Sequence, residues 1–214
     1  MKKFILLGFI AIFTFTNCQN DDKKAKNEMP KQEKMSSKLV WTFNPDASNI
    51  KWTGFKTTDK IGVHGEFKQF NIKGIDKDVS LANTIQHALV RVNIFSIFSG
   101  NESRDKKLIA SLFQKMSSTD MIEGRVLKID DKNHTADVVF NMNAHEKKVT
   151  MSMNVDESKG VIQLKGKIDL IKDFGADEAL AIFHEACKDK HTGKDGVSKT
   201  WSEVDIEANL KFNK

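Results

Sequence analysis

The sequence predicts a mainly β fold, an antiparallel barrel of about eight strands with two short helices. From Trp41 onward, apolar and polar residues alternate with a period of two, which is typical of strands with one buried face. Two segments depart from this alternation, and short polar turns separate neighbouring strands. Such strands fit either a sandwich or a barrel, and we favour the barrel because closure leaves no exposed strand edge.

The predicted strands follow one another in a regular order along the chain. The stretches that alternate clearly are residues 50–54, 61–67, 86–96, 135–143, 147–155, 161–170 and 202–212. In the clearest stretch Val149, Met151 and Met153 fall on one face, while Lys148 and Thr150 fall on the other, as a one-sided antiparallel strand requires. Residues 121–129 are predicted as a further strand whose buried face the sequence leaves open.

The two segments that break the alternation are predicted as helices. Residues 103–116 repeat apolar side chains at helical intervals, and Ser103 is the candidate N-cap. Residues 176–189 place Leu180 and Phe183 on one side of a second helix. The two helices together cover far fewer residues than the predicted strands, so the fold remains mainly β.

The inward-facing residues bear on whether the barrel is hollow. They combine large side chains with Gly54, Gly65 and Gly166 and with the flexible Met142 and Met151. A barrel of about eight strands can either fill itself with side chains or hold one small ligand. Small and flexible residues predict an apolar pocket, whereas glycines that only permit bending would fit a solid core. The alternation by itself supports both interpretations equally.

Composition narrows the class of protein. The 214 residues are 39% hydrophobic and 29% charged with only 2 Pro, which excludes collagen, a polytopic membrane protein and a wholly disordered chain. The 15 Phe, 3 Trp and 8 Met supply the apolar volume of one core. The net charge is +5, but basic and acidic residues are nearly balanced from Trp41 onward and alternate along the segments. We therefore predict no nucleic-acid partner.

The first residues have the composition of an export signal. Lys2 and Lys3 precede an apolar run over residues 4–16, which is shorter than the roughly 20 residues of a membrane span. The run ends just before Cys18 in a sequence that resembles the lipobox of bacterial lipoproteins. The resemblance implies a signal peptide over residues 1–17 and a membrane anchor through acylated Cys18. The alternative is an ordinary secretory leader with a chance cysteine, or an uncleaved anchor.

A polar segment separates this leader from the predicted barrel. Residues 18–40 are rich in Lys, Gln, Asn and Ser without an apolar period, which predicts a lipidated, disordered tether before a barrel domain at 41–214. The start of the tether, with Asp21 and Asp22, resembles the acidic export signal of certain Gram-negative lipoproteins. This implies lipid anchoring to the outer membrane in the cell envelope of a Gram-negative bacterium, on its periplasmic or its surface-exposed face.

Three blocks of the folded part resemble a known family. They are SNIKW at 48–52, VHGEFKQF at 63–70 and VNIFSIFSGNESRD at 92–105. In this order and spacing they resemble the YceI-like family, and the resemblance covers residues 41–212. It implies a lipocalin-like antiparallel β-barrel that is exported from the cytoplasm and encloses a long apolar ligand. A polyisoprenoid or an isoprenoid quinone is the implied ligand, and no other cofactor is expected.

Strand parity predicts which side chains line the cavity that the resemblance implies. Either helix is a candidate cap over the mouth. The predicted lining consists of Trp52, Phe67, Val90, Val92, Ile94, Phe140, Met142, Val149, Met151, Met153, Leu164, Ile168, Val204, Ile206, Ala208 and Leu210.

The sequence offers little for metal binding or catalysis. His184, Cys187 and His191 lie near one helical face and are a weak candidate for a zinc site, but only three ligands are visible. A buried thiol beside two ordinary helix histidines is the favoured interpretation, so we predict no metal. Arg104 and Asp105 are expected to orient the loop and helix start. We find no nucleophile elbow, P-loop, dinucleotide fingerprint or paired-carboxylate motif, and predict that the protein is not an enzyme.

Two functions fit these observations. The first is a membrane-anchored lipoprotein whose barrel binds a long apolar lipid for storage, shielding or transfer. The second is a surface or periplasmic interaction protein with a filled core, no lipid ligand and its function in the loops. A cavity of several hundred Å³ would separate the first from the second. A homodimer is compatible with either function.

Overall fold

The computed structural model describes residues 40–214. Cys18, the predicted signal peptide and the predicted tether up to residue 39 lie outside the described residues, so the expectations about them stay predictions. The sheet, the helices and the hydrophobic clusters described below all lie within residues 40–214. This part of the chain therefore contains the elements that a domain needs to fold by itself.

The described residues form one antiparallel sheet and two α-helices, which confirms the mainly β, lipocalin-like fold. The helices are α1 (Glu102–Ser111) and α2 (Asp177–His191). The strands are β1 (Thr42–Lys56), β2 (Ile61–Phe67), β3 (Phe70–Lys73), β4 (Leu89–Asn93), β5 (Ile97–Phe98), β6 (Met121–Asp130), β7 (Thr135–Met142), β8 (His145–Asp156), β9 (Val161–Asp169) and β10 (Thr200–Asn213).

The order of the strands in the sheet is β3-β4-β6-β7-β8-β9-β10-β1-β2-β5. From β6 to β10 each strand pairs with the next one along the chain. Tight turns join β6 to β7, β7 to β8 and β8 to β9, whereas the segment that contains α2 connects β9 to β10. The first strand pairs with the last, so that Trp52 of β1 lies opposite Ile206 of β10. This pairing joins the two ends of the described chain in the middle of the sheet.

The sheet curls around one interior because its two edge strands, β3 and β5, belong to two bent stretches of chain that pair with each other. One stretch consists of β2 and β3, and the other of β4 and β5. Only Lys68 and Gln69 separate β2 from β3, and a short 3-10 turn over Ile94–Ser96 separates β4 from β5. Across the bend β3 pairs with β4 and β2 pairs with β5. The backbone N–H of Lys68 donates to the Ser96 carbonyl at 3.0 Å, and that of Asn93 donates to the Gln69 carbonyl at 3.1 Å. These bonds link the two halves of the bend.

Strand β4 is shorter than predicted at both ends. His87 has a φ of 71°, which lies outside the strand region. At the other end the Asn93 side chain accepts a hydrogen bond from the Phe95 N–H at 2.9 Å and starts the 3-10 turn. The prediction of a strand over 86–96 is therefore wrong for residues 86–88 and 94–96, which lie outside β4. The sequence does not predict β3 or β5, because these strands are too short for an alternation to be recognised.

The helices also differ from prediction at their ends. The predicted N-cap Ser103 is wrong, because the Asn101 side chain accepts a hydrogen bond from the Arg104 N–H at 3.0 Å and α1 begins one residue later. After α1 a 3-10 turn over Phe113–Lys115 replaces the predicted end of the helix. Helix α2 continues to His191, past the predicted end at residue 189. Neither helix of the described part is long and apolar enough to cross a membrane.

Two hydrophobic clusters fill the two ends of the curled sheet. The helix-end cluster joins α1 and α2 to the strands, and its larger members are Trp52, Phe67, Ile94, Ile97, Leu108, Leu112, Phe113, Met116, Met142, Ile168, Leu170, Phe174, Leu180 and Phe183. The far-end cluster closes the opposite end, and its larger members are Trp41, Leu81, Ile85, Val126, Val138, Met151, Met153, Ile162, Leu164, Leu210 and Phe212.

A buried carboxylate fixes the start of α1. Asp105 is 9% exposed and accepts hydrogen bonds from the backbone N–H of Ser99, at 3.1 and 3.2 Å to its two oxygens, and from the Ser99 hydroxyl. Arg104 donates to the same Ser99 hydroxyl at 2.7 Å and to its carbonyl at 2.8 Å. As the sequence predicts, this pair orients the loop and the helix start.

We expect Asp105→Ala to lower the free energy of unfolding by roughly 1–3 kcal/mol, because it leaves the partly buried Ser99 donors without their acceptor. Glu102→Ala is the control on the same helix, since Glu102 pairs with Lys106 in an exposed ion pair and its loss should cost under about 1 kcal/mol. Urea denaturation of residues 21–214 measures both changes. Equal losses would contradict a special role for Asp105.

A glycine in the turn between β8 and β9 makes a close backbone contact. Gly160 has a φ of 61°, and its carbonyl accepts a hydrogen bond from the Phe212 N–H at 2.8 Å. A Cβ atom at this position would collide with the Phe212 carbonyl oxygen and lie 2.9 Å from a ring carbon of Trp41. The turn therefore packs on the far-end cluster only because residue 160 has no side chain.

Gly160→Ala is expected to lower the free energy of unfolding by roughly 2 kcal/mol or more, through backbone strain and this collision together. Gly196 has a φ of 75° but no heavy atom within 4 Å of an added Cβ. Gly196→Ala should therefore cost only the strain of its backbone, about 1 kcal/mol. Thermal or urea unfolding compares the two variants, and a smaller loss for Gly160→Ala would refute the packing argument.

Candidate ligand-binding cavity

The curled sheet encloses a cavity of about 630 Å³. This volume lies in the range of about 300–1,000 Å³ that is typical of sites for small organic ligands. Side chains of both hydrophobic clusters line it, so that it extends from the helix end of the interior towards the far end. Residues from both helices complete the wall, and the lining is predominantly apolar.

The structure places most of the predicted lining residues on this cavity. Ile94, Val149 and Met153 do not line it. Ile94 is fully buried in the 3-10 turn after β4, and Met153 is buried in the far-end cluster. The predicted residues that do line the cavity are Trp52, Phe67, Val90, Val92, Phe140, Met142, Met151, Leu164, Ile168, Val204, Ile206, Ala208 and Leu210. Whether they contact a ligand stays a prediction.

The interior glycines differ in what fills the space beside them. A Cβ on Gly65 would collide with the indole ring of Trp52, and one on Gly166 would lie 3.0 Å from the Met151 side chain. These two glycines make room for neighbouring side chains. Gly54 lines the cavity, and the nearest atom to an added Cβ there is a Trp52 ring carbon at 4.0 Å. Gly54 therefore leaves free volume to the cavity itself.

Sequence reasoning does not predict the part of the lining that comes from the helices. Helix α1 and the turn after it contribute Leu108, Leu112 and Phe113, and α2 contributes Leu180 and Phe183. Their helical spacing is visible in the sequence and marks them as buried. The alternation along a strand shows which residues face inward, but it does not show which end of the interior a helix covers. Only the tertiary structure shows where each helix lies.

Trp52 brings a polar atom to this apolar interior. Its side chain lines the cavity and is 9% exposed. The indole N–H is buried and has no hydrogen-bond acceptor among residues 40–214. A buried donor without an acceptor is costly, so this indole N–H lowers the stability of the described fold.

Three exposed residues that line the cavity, Asn101, Ser103 and Lys190, lie at the start of α1 and the end of α2, beside the end of β1. This opening is called the mouth of the cavity. The Lys107 ammonium of α1 donates to the Ala186 carbonyl of α2 at 2.7 Å. The Lys56 ammonium, at the end of β1, donates to the Lys190 carbonyl at 3.2 Å. The Lys190 carbonyl lies in the last turn of α2, where carbonyls lack a partner in the helix and carry its partial negative charge, so a lysine is well suited to this position. The Ala186 carbonyl lies one turn earlier. The two bonds tie α2 to its neighbours.

Two histidines of α2 share one hydroxyl group beside the cavity. The Nδ1 atoms of His184 and His191 lie 2.9 and 2.6 Å from the Thr200 hydroxyl oxygen. Burial lowers the pKa of His191 to about 4, and the nearby charges of Lys56, His184 and Lys107 act in the same direction. The His191 ring is therefore uncharged at neutral pH, because its pKa lies well below 7.

The weak metal candidate has a different environment from a metal site. His184 and His191 contact Thr200, while Cys187 is buried and lines the cavity. Burial raises the pKa of the Cys187 thiol, which disfavours the thiolate that binds zinc. Within residues 40–214 no three His, Cys, Asp or Glu side chains are grouped so that they could hold a metal ion.

Known proteins resemble this chain in sequence or in fold. The family model described as YceI-like domain matches residues 41–212. A polyisoprenoid binding domain from Saccharophagus degradans, implicated in plant cell wall breakdown, is 11% identical with a TM-score of 0.58, over 82% of this chain and 98% of that one. BcnA from Burkholderia cenocepacia is 12% identical with a TM-score of 0.52, over 81% and 100%. No curated protein matches.

The three sequence blocks that suggest the family lie on the elements that build the cavity. SNIKW lies in β1, VHGEFKQF covers β2 and the bend that leads to β3, and VNIFSIFSGNESRD runs from β4 to the start of α1. At 11% and 12% identity the solved structures show a common fold. The family model spans nearly the whole of the described part. On this basis the chain belongs to the YceI-like domain family.

Proposed function

We propose that this protein binds a long apolar lipid, of the polyisoprenoid or isoprenoid quinone class, and stores, shields or transfers it. The observation that carries the proposal is the apolar cavity of about 630 Å³ inside the curled sheet. Membership of the YceI-like family supports lipid binding in general, and a similar solved structure is described as a polyisoprenoid binding domain. The role we propose is binding without catalysis.

The energetics favour a long ligand over a short one. Each buried CH₂ group contributes about 0.8 kcal/mol, so about 15 of them would contribute roughly 12 kcal/mol. Association costs on the order of 4–15 kcal/mol before any affinity appears. A short apolar molecule would not offset this cost, whereas a chain that extends between the two hydrophobic clusters would. Selectivity would then depend on chain length and shape.

The cavity also separates this function from the alternative of an interaction protein with a filled core. A solid core would place side chains beside Gly54, where the structure leaves free volume. The loops of the described part remain free to bind a protein, but the interior volume would then have no role. The lipid-binding function therefore accounts for more of the structure.

The ligand can be identified by mass spectrometry of an organic extract. Residues 21–214, purified from a bacterial host without detergent, should yield an isoprenoid in stoichiometric amount. If the extract is empty, the same protein is incubated with vesicles that contain a quinone and a polyprenol, and extracted again. No lipid after both steps would reject the proposed function in favour of a filled or unused interior.

Filling the cavity should prevent binding. We expect Gly54→Phe to reduce the affinity for a quinone at least about tenfold, equivalent to 1.4 kcal/mol, because the new ring takes the place of ligand atoms. Met121→Phe is the control, since Met121 lies at the start of β6 and is 40% exposed. Titration of each variant with the same quinone measures the effect. Unchanged affinity in Gly54→Phe, with the fold intact by circular dichroism, would place the ligand elsewhere.

We further propose that acylated Cys18 anchors the protein to the outer membrane of a Gram-negative cell. Metabolic labelling with a palmitate analogue should mark the full chain and the Cys187→Ala variant, and should fail in Cys18→Ala. Label that persists in Cys18→Ala would contradict acylation at this residue. Protease treatment of intact cells then distinguishes the two faces, since only a surface-exposed protein is cleaved before lysis.

A further inference from the structure

The mouth of the cavity carries a group of basic side chains, here called the basic mouth, that consists of Lys56, Arg104, Lys107 and Lys190. They come from three elements, namely the end of β1, the first turns of α1 and the last turn of α2. Lys56, Arg104 and Lys107 are half-buried, and Lys190 is exposed. All four line the cavity that would hold the lipid chain.

No member of the basic mouth has a carboxylate within 4.0 Å in the described part of the chain. Other lysines of the sheet are paired, such as Lys147 with Asp173 at 2.7 Å. Two neighbouring carboxylates have other partners. Asp105, next to Arg104 in α1, accepts its bonds from Ser99. Glu207, which lines the cavity further along β10, faces Lys165 at 3.6 Å. Within residues 40–214 the positive charge at the mouth is therefore not neutralised.

The groups that the basic mouth does contact are neutral. Lys56 and Lys107 each donate to one backbone carbonyl of α2, and Arg104 donates to the hydroxyl and carbonyl of Ser99. A lysine ammonium has three N–H donors and a guanidinium has five, so each of these side chains keeps donors in reserve. Burial is the main cause of the low pKa of His191, and the charges of Lys56 and Lys107 lower it further.

We infer that the lipid bound by this protein carries an anionic head group, a phosphate or a carboxylate, which lies against the basic mouth while the chain occupies the cavity. The inference deepens the proposed function and rests on it. Cations at a half-buried mouth attract an anion more strongly than they would in bulk water, and hydrogen bonds to charged oxygens are the stronger kind. A neutral head, such as that of a quinone, would leave this charge without a partner.

Probes with the same chain and different heads test the inference. Geranylgeranyl phosphate is compared with geranylgeraniol, and palmitate with hexadecanol, by the change in tryptophan fluorescence of residues 21–214. Trp52 and Trp201 both line the cavity and report its occupation. We expect at least one anionic probe to bind about tenfold more tightly than its alcohol, with an advantage that shrinks at high salt. The stronger pair identifies the head as phosphate or carboxylate.

Charge variants locate the effect. The double variant Lys56→Gln with Lys107→Gln should bind the anionic probe about tenfold more weakly and the alcohol unchanged. The controls are Lys106→Gln and Lys188→Gln, which alter exposed, paired lysines of the same two helices and should change neither affinity. If the double variant lost affinity for both probes alike, Lys56 and Lys107 would only hold α2 in place, and the inference would be overturned.

The remaining outcomes separate this inference from the proposed function. Equal affinity of the unmodified protein for each anionic probe and its alcohol would overturn the head-group inference and leave lipid binding intact. Absence of binding by all four probes and by a quinone and a polyprenol would reject the proposed function, and the inference with it.

Discussion

The ladder between β1 and β10 is the interaction on which the rest of the structure depends. It runs from Thr42 opposite Asn213 to Lys56 opposite Thr200 and gives β10 a partner on each side. Without it both strands would be edges, and their apolar faces would border water. The cavity exists because this ladder converts a meander of one-sided strands into a wall around an interior. The register shift between Asn44 and Asn49 lets the long first strand bend along that wall.

The features that could be predicted from the sequence are those that depend on near neighbours. Trp52, Met142 and Leu210 line the cavity because they lie at inward-facing positions of their strands. The alternation of apolar and polar neighbours in the sequence shows which positions face inward. Ile94 shows where this reasoning stops. Ile94 would face inward if β4 continued to it, but the Asn93 side chain forms a local hydrogen bond that ends the strand first. A polar side chain that competes with the ladder outweighs the alternation of its neighbours.

The features that could not be predicted are those made by residues far apart in the chain. Gly65 accommodates a tryptophan that lies on the adjacent strand, whereas Gly54 opens the cavity, and nothing in their own surroundings in the sequence distinguishes them. The basic mouth is of the same kind, because Lys56 and Lys190 meet only after the last strand has paired with the first. The lysines that tie α2 to its neighbours also supply the charge at the mouth, so packing and electrostatics there have a common origin.

The hydroxyl of Thr200 has a consequence for the two imidazole rings that share it. It carries one proton and lies within hydrogen-bond distance of the Nδ1 atoms of both His184 and His191. It can therefore donate to one ring at most, and the other ring must supply a proton of its own. The accepting ring then has no hydrogen on Nδ1, whereas the donating ring holds one there. The fold thus gives opposite hydrogen-bonding roles to two side chains that are chemically identical in the unfolded chain.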